Sequence, residues 1–221
     1  MKFGVVTFPG TCDDTDARAA CARVGDVVVQ LWHAEHDLQD VDAIVIPGGF
    51  SYGDHLRVGA VARFAPVMTE VAKFAEAGGP VLGICNGFQI LCEAGLLPGA
   101  LLPNTGLRFA MRQTEVQVQT TRCAWTSGCA ADEVLSIPAK NVAGRYYAAG
   151  PVLEEMAAND QIVLRYVADP LPNGSVDGIA GVCNAAGNVM GLMPHPEHAV
   201  DELIGGADGL KLFASVAGAP V

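Results

Sequence analysis

The stretch Val81–Leu91, VLGICNGFQIL, interrupts an apolar run with a cysteine and an Asn-Gly pair. Apolar or small residues lead into Cys85, and a helix-like segment that ends near Gly95 follows it. Residues 83–87 therefore have the form glycine–x–nucleophile–x–glycine at the end of an apolar strand, the sequence form of a nucleophile elbow. Such a turn is tight and strained, glycine gives its backbone room, and it raises the central side chain above the strand ends.

The position of Cys85 before a helix favours chemistry on its sulfur. A helix N-terminus stabilises a thiolate over a thiol, and the amide of Asn86 would point toward an oxyanion. The alternative is a buried structural cysteine at a strand–helix junction. A thiol nucleophile also needs a base, so the histidines decide between the two interpretations.

Short apolar runs alternate with helix-like segments in the first half of the chain. Strands that alternate with helices indicate a parallel sheet with helices on both faces. The predicted strands are 2–8, 27–32, 43–49 and 80–85, and helices are expected at 13–25 and, from its apolar periodicity, at 56–77.

The second half of the chain has a different pattern. Residues 114–120, TEVQVQT, alternate polar and apolar positions, as in a half-exposed strand. Further strands are expected at 162–167, 179–184 and 189–194, the last two joined as a hairpin, with a surface loop at 169–178 and a final helix at 206–216. The predicted fold is therefore α/β, a mostly parallel central sheet flanked by helices. An antiparallel strand or two is added in the C-terminal half, and residues 1–221 form one domain.

Composition excludes several classes of function. The 221 residues are 51% hydrophobic and 17% charged, as in a globular protein, and the formal net charge is −11. An acidic surface repels phosphate backbones, so no nucleic acid partner is expected. No apolar run approaches the roughly 18–20 residues that a membrane helix needs. The first residues, MKFGVVTFPG, predict a strand and a turn, not an export signal.

The seven cysteines are odd in number and irregular in spacing. Reduced thiols in a cytoplasmic protein are the natural interpretation, and no spacing supports a zinc site.

His195-Pro196-Glu197 supplies a candidate base for Cys85. Proline restricts the residue before it to extended conformations, and in an extended stretch residues two apart point the same way. The carboxylate of Glu197 would then accept the imidazole N–H of His195, as in other triads. The alternatives are a surface segment without a catalytic role and a metal site with His198, against which Pro196 argues.

The turn Pro47–Phe50 ends the predicted strand 43–46 and should lie on the same sheet edge as Cys85. Its backbone amides would supply a second oxyanion donor. The alternative is an ordinary strand–helix loop that uses glycine for its turn.

Taken together, these motifs resemble class I, or triad, glutamine amidotransferases, which have a flavodoxin-like sheet. In detail the sequence is similar to the glutaminase subunits of phosphoribosylformylglycinamidine synthase, and the resemblance covers essentially the whole chain. The stretches that carry it are 8–17, 46–60, 83–91, 104–109 and 191–198.

The resemblance implies hydrolysis of L-glutamine to glutamate and ammonia. The ammonia would pass to a separate synthetase subunit that makes formylglycinamidine ribonucleotide from formylglycinamide ribonucleotide in purine biosynthesis, with a small bridging subunit between the two. This chain would need no cofactor or metal, since ATP and Mg²⁺ belong to the synthetase. The implied catalytic residues are Cys85, His195 and Glu197. The implied oxyanion hole is the backbone of Gly49, Phe50 and Asn86, and the implied glutamine-binding residues are Gly48, Gln89, Asn141 and Val142.

The sequence departs from the family pattern in two places. Residues 11–16 read TCDDTD where the family has SNCDRD, and residues 141–144 read NVAG where the family has His-Gly-Glu-Gly. The second change affects a loop that contacts the amino-acid end of glutamine in related proteins. Three alternatives stay open: the glutaminase of another class I amidotransferase, a catalytically weakened structural or regulatory subunit, and a cysteine peptidase with the same triad.

Overall fold

A computed structural model describes residues 1–167 and 170–219. Its main element is one nine-stranded sheet. The strands of this sheet are β1 Lys2–Thr7, β2 Val27–Trp32, β3 Ala43–Ile46, β4 Val81–Ile84, β6 Ala110–Val118, β7 Val134–Asn141, β9 Ile162–Tyr166, β10 Ile179–Cys183 and β11 Val189–Leu192. A separate two-stranded sheet pairs β5 Ala100–Leu102 with β8 Arg145–Tyr147. The helices are α1 Asp14–Ala22, α2 Pro66–Glu76, α3 Asn86–Glu93, α4 Gly150–Ala158 and α5 Leu210–Ala217.

The main sheet has the order β2-β1-β3-β4-β11-β10-β9-β6-β7. Its first five strands are parallel, and β10, β9, β6 and β7 extend it in antiparallel pairs. The predicted α/β class, with parallel strands, flanking helices and added antiparallel strands, is confirmed. The antiparallel part is larger than the one or two strands expected.

Burial explains the continuous apolar runs of the central strands. Every residue of β3, β4 and β11 is buried, as expected for parallel strands covered on both faces. β6, by contrast, alternates exposed and buried residues over its C-terminal half. Among the described residues, no helix is long and apolar enough to cross a membrane.

The expected helix over 56–77 is wrong in its first half. A 3₁₀ turn covers Ala62–Phe64, and α2 starts only at Pro66, because proline fits the first turn of a helix but not its interior. Phe64, within the segment expected to be helical, is 74% exposed. The guanidinium of Arg63 lies 4.4 Å from the centre of its ring.

The expected surface loop 169–178 starts at a residue outside the described part of the chain. From Pro170 onward it is a loop with one 3₁₀ turn, Val176–Gly178. Its centre is not on the surface, since Asn173 and Ser175 are each 2% exposed. Both side chains bond to the carbonyl of Gly144, so this loop supports the segment that follows β7.

The parallel half of the sheet determines where a site can form. Leu192 of β11 pairs with Ile84 of β4, and Ile46 of β3 pairs with Gly83. The residues that follow these three strands therefore meet at one edge, the carboxyl edge, where open α/β sheets bind ligands.

Candidate active site

Cys85 lies in the strained turn that its glycines predict. Its backbone has φ 51° and ψ −101°, a conformation that costs energy for a residue with a side chain, and α3 begins at the next residue. A Cβ at Gly87 would lie 1.9 Å from the carbonyl oxygen of Ile46, and one at Gly83 would lie 2.7 Å from the backbone of Gly87. Both glycines therefore let α3 pack directly on the strands and hold the elbow in place.

His195 and Glu197 form a buried pair beyond the end of β11. The Nδ1 atom of His195 lies 2.5 Å from Oε1 of Glu197, and both side chains are at most 1% exposed. The expected partnership is present, but the expected extended backbone is wrong, because Pro196–His198 is a 3₁₀ turn. The amide of His195 donates to the carbonyl of Pro138 at 2.7 Å, so β7 holds this segment from the side.

The surroundings of His195 favour its charged form. Burial alone would lower the pKa of the imidazole. The negative charges of Glu197 and of a Cys85 thiolate, together with the hydrogen bond to Glu197, outweigh burial and raise the pKa of His195 to about 10. An imidazolium paired with a thiolate can both attack a carbonyl and supply a proton to a leaving nitrogen.

The turn after β3 contributes amides to the same edge. Gly49 has φ +151°, and its Cα packs against the backbone of residues 10–12, where a Cβ would lie 2.6 Å from Gly10 O. The amide of Phe50 donates to that Gly10 carbonyl at 2.8 Å. Phe50 was expected to donate to an oxyanion, and in this conformation its N–H is engaged elsewhere, whereas Gly49 and Asn86 lie at the ends of their strands beside Cys85.

The buried side chain of Asn86 links the start of α3 to the loop that follows Gly49. Its Oδ1 accepts hydrogen bonds from the amide and hydroxyl of Ser51, at 3.0 and 2.5 Å. Its Nδ2 donates to Gln89 Oε1 at 2.9 Å and lies 3.4 Å from Asp54 Oδ1. The start of α3 is therefore locked to the loop that follows Gly49.

A cavity opens over Cys85, and its wall includes most of the predicted glutamine-binding residues. Gln89, Asn141 and Val142 line it, together with Phe50, Asp54, Val58 and Phe109. Gly48 does not lie on the wall. A Cβ there would lie 2.4 Å from Oδ2 of Asp13 and 2.8 Å from Cε1 of His195, so Gly48 makes room for the approach of these two side chains.

The segment 141–144 is held by its main chain. Asn104 donates from its Nδ2 to the carbonyl of Asn141 at 2.9 Å, and its Oδ1 accepts from the amide of Gly144 at 2.9 Å. The amide of Asn104 bonds to the carbonyl of Val142, and Gln89 Nε2 donates to the carbonyl of Ala143 at 2.8 Å. These bonds do not depend on the side chains that differ from the family pattern.

The Asn141 side chain is a buried polar group beside the cavity. It is 3% exposed, and within the described part of the chain neither its Oδ1 nor its Nδ2 has a hydrogen-bond partner. Buried amides normally pair. Such an amide can bond a small polar ligand once its side chain turns toward the cavity.

Two charged residues of the site, Asp13 and Lys140, were not found from the sequence, and His198 was considered there only as a metal ligand. The Nζ of Lys140 lies 2.6 Å from Oδ1 of Asp13, and Nε2 of His198 lies 3.4 Å from the same oxygen. Asp13 and Lys140 are 127 residues apart, and no local pattern joins them. The only signal was the unusual TCDDTD stretch, which contains Asp13.

Ligand atoms of Asp13, His195, Glu197 and His198 all lie within 4.8 Å of one another, which is close enough to hold a metal ion. Each histidine lies within 3.6 Å of carboxylate oxygens of both Glu197 and Asp13. These contacts give the four side chains partners within the cluster.

A flavodoxin-like sheet order with a cysteine elbow, a buried His–Glu pair and an amide-lined turn on its carboxyl edge defines the class of triad glutamine amidotransferases. The model of the CobB/CobQ-like glutamine amidotransferase domain family matches residues 1–205. The chain belongs to this family and, within it, to the PurQ subunits of phosphoribosylformylglycinamidine synthase, as the following relatives show.

The PurQ subunit of Mycobacterium bovis is 57% identical over 215 residues, which cover 97% of this chain and 95% of that protein. The PurQ subunit of Rubrobacter xylanophilus is 53% identical over 222 residues and matches both proteins along their full length. The resemblance inferred from the motifs is confirmed.

Solved structures give the same result. A chain of the PurLQS structure from Thermotoga maritima is 44% identical, with a TM-score of 0.89 and coverage of 98% of this chain and 97% of that chain. A GMP synthase-type protein from Thermoplasma acidophilum, at 15% identity and a TM-score of 0.61, shares the fold alone.

Proposed function

We propose that this chain is the glutaminase subunit of a phosphoribosylformylglycinamidine synthase, with residues 1–221 acting as one catalytic domain. It hydrolyses L-glutamine and delivers ammonia to a synthetase subunit. The single observation that carries the proposal is the meeting of a strained Cys85 with the buried His195–Glu197 pair at one sheet edge, in a chain of the PurQ family.

The reaction starts with the Cys85 thiolate, which attacks the side-chain amide carbon of glutamine. The developing oxyanion receives hydrogen bonds from the amides of Gly49 and Asn86, which are preorganised by the strand ends. His195 gives its proton to the amide nitrogen, and the C–N bond breaks. Ammonia departs, and the glutamyl group stays on Cys85 as a thioester. His195 then takes a proton from water, which attacks the thioester and releases glutamate and the Cys85 thiol.

Glutamine lies with its amino-acid end toward the segment 141–144. The free amide of Asn141 accepts from the α-ammonium group and donates to the α-carboxylate, and Val142 covers the substrate from the mouth of the cavity. Gln89 acts by fixing the carbonyl of Ala143, since both of its polar functions are already bonded inside the protein.

The ammonia passes within a complex to a synthetase subunit, which uses ATP and Mg²⁺ to convert formylglycinamide ribonucleotide to formylglycinamidine ribonucleotide, and a small subunit bridges the two. The chain itself uses no cofactor and no metal, works in the cytoplasm, and binds neither nucleic acid nor membrane. The solved relative is a PurLQS structure, which supports such a three-part assembly.

The hydrogen bond from Phe50 to Gly10 gives a reason for partner-dependent activity. While this bond is made, the turn offers one oxyanion amide fewer than the family pattern implies. A partner that shifts the turn would free the Phe50 N–H, so the complex should be faster than the isolated chain.

The test is ammonia release from glutamine by the pure chain and by its complex with the synthetase and bridging subunits, with ATP and formylglycinamide ribonucleotide present. Release that rises at least about tenfold in the complex supports the proposal, since one oxyanion donor is worth about 10²–10³ in rate. Glutamine that binds without any release, in both samples, would instead identify a catalytically weakened structural subunit.

A further inference from the structure

Asp13 is a buried carboxylate that the triad leaves unexplained. It stands immediately before α1, where an aspartate normally accepts a hydrogen bond from the first turn of the helix. Within the described residues its side chain makes no such bond. It is 7% exposed and turns into the site, where Lys140 Nζ lies 2.6 Å from its Oδ1.

The second oxygen of this carboxylate reaches His195. Oδ2 of Asp13 lies 3.6 Å from Nδ1 of His195, the same nitrogen that Glu197 contacts at 2.5 Å. The approach requires glycine at position 48, because a Cβ there would lie within 2.8 Å of both side chains. The contact is therefore built into the backbone of the turn after β3.

Lys140 extends this contact toward the nucleophile. It lies next to the end of β7, and its carbonyl oxygen is 3.6 Å from Sγ of Cys85. The ion pair with Asp13 therefore joins the strand end beside the sulfur to the loop beside the imidazole.

We propose that Asp13 is a positioning residue for His195, a second carboxylate that holds the imidazole toward Cys85 and, through Lys140, fixes the end of β7 against the site. The proposal rests on the glutaminase function above. Asp13 acts through His195 and does not bind glutamine, since its oxygens are directed to Lys140, His195 and His198.

The charges around His195 make the proposal measurable. The groups that face it are Glu197 and His198 from the turn after β11, Cys85 from the end of β4, and Asp13 with its partner Lys140. Burial would raise the pKa of Asp13, but its contacts with His198 and Lys140 and the charge of His195 hold that pKa well below its usual range. Asp13 is thus ionised at neutral pH and favours the imidazolium.

The experiment compares Asp13→Asn, Lys140→Met and the control Asp14→Asn in the full chain assembled with its synthetase and bridging subunits. Asp14 is the next residue, the first of α1, and its carboxylate pairs with Arg18 at 3.0 Å. Two quantities are measured from about pH 6 to about pH 10. One is kcat and KM for ammonia release from glutamine. The other is the rate at which the Cys85 sulfur displaces iodide from iodoacetamide, followed by mass spectrometry of the Cys85 peptide.

Asp13→Asn should lower kcat by about tenfold with KM within about twofold of the unchanged protein, as a positioning role requires. In this variant the fall of kcat at alkaline pH should begin at a lower pH than in the unchanged protein. Alkylation of Cys85 should also be slower. Lys140→Met leaves the negative charge of Asp13 uncompensated, so its alkaline limb should not move down. A merely structural role would shift both variants alike. Asp14→Asn should match the unchanged protein.

Two results would overturn the proposal: an Asp13→Asn variant with unchanged kcat and alkylation, or one whose KM alone rises, which would make Asp13 a substrate contact. Failure of the glutaminase function is separately visible. In that case the unchanged complex releases no ammonia, while slower Cys85 alkylation in Asp13→Asn still supports the link to His195, and equal alkylation refutes it.

Discussion

The imidazole of His195 carries the pH dependence of the site at the scale of single residues. Its pKa is raised to about 10 by Glu197 and Cys85 in spite of burial, so its proton is fully present below the ordinary histidine value and is lost as the pH rises toward 10. Turnover that needs this proton for the leaving nitrogen should therefore persist through neutral pH and fall only on the alkaline side.

Glu197→Gln should lower kcat for glutamine hydrolysis by about 100-fold or more, because general acid–base catalysis contributes about 10²–10⁴ in rate and the amide cannot stabilise the imidazolium. Loss of the negative charge lowers the pKa of His195, so the alkaline limb should move to lower pH. A pH series of kcat tests both effects. An unchanged limb would show that Glu197 does not set the charge of His195.

Local motifs predicted the residues of the proposed triad, because the glycine elbow and the His-Pro-Glu run each lie within a few positions of the sequence. Asp13 and Lys140 could not be found in this way. Asp13 has the sequence position of a helix cap, and Lys140 lies in β7, a strand that pattern alone does not reveal, so their ion pair appears only when the sheet is assembled.

At the scale of elements, the elbow depends on close packing of α3 against β3. Gly87→Ala would place a Cβ 1.9 Å from the carbonyl of Ile46, which cannot move because it belongs to a buried strand. We expect a loss of at least about 2 kcal/mol in the free energy of unfolding. Gly150→Ala is the matched control, since no atom lies within 4 Å of its Cβ position, and it should change stability by at most about 0.5 kcal/mol. Denaturant unfolding of both variants measures the difference, and equal stability would mean that α3 can shift freely.

The main-chain support of residues 141–144 gives a second prediction at this scale. Asn104→Ala removes side-chain bonds to the backbone of Asn141, Gly144 and Arg108 and should cost about 2 kcal/mol in the free energy of unfolding. Val142→Ser changes only a half-exposed side chain and should stay within about 0.5 kcal/mol. Denaturant unfolding of both variants measures these changes. A costly Val142→Ser would show that side chains, not carbonyls, hold the segment.

Elements were predictable where a strand is buried on both faces or alternates clearly. β3, β4 and β11 are continuous apolar runs, and part of β6 alternates. β7 was missed because Pro138 and polar residues interrupt its pattern, and proline is tolerated there since β7 pairs within the sheet only with β6. α4 was missed although Pro151 occupies its first turn, the same signal that begins α2.

At the scale of the whole molecule, the segments that follow β1, β3, β4 and β11 meet because these parallel strands end at one edge of the sheet. That rule predicted that the turn after β3 and Cys85 would meet. The strand order could not be derived from the pattern. Strands β6, β7, β9 and β10 lie between β4 and β11 in the sequence but beyond β11 in the sheet. β11 therefore pairs with β4, which places His195 and Cys85 at the same edge.

Within the proposed complex, amide hydrolysis by this chain should be separable from synthesis by the partner subunit. Cys85→Ala removes the sulfur that breaks the amide bond, but it leaves the cavity, the fold and the synthetase untouched. The complex should therefore lose all glutamine-dependent synthesis of formylglycinamidine ribonucleotide while keeping synthesis driven by added ammonium salt within about twofold. Cys92→Ala, which removes a sulfur from helix α3 that does not line the cavity, is the control and should retain both activities. The measurement is product formation with glutamine and with ammonium salt. Assembly of each complex is checked first by size-exclusion chromatography. If intact complexes of the Cys85 variant also lost the ammonia-driven reaction, this chain would be part of the synthetase chemistry and not only its ammonia donor.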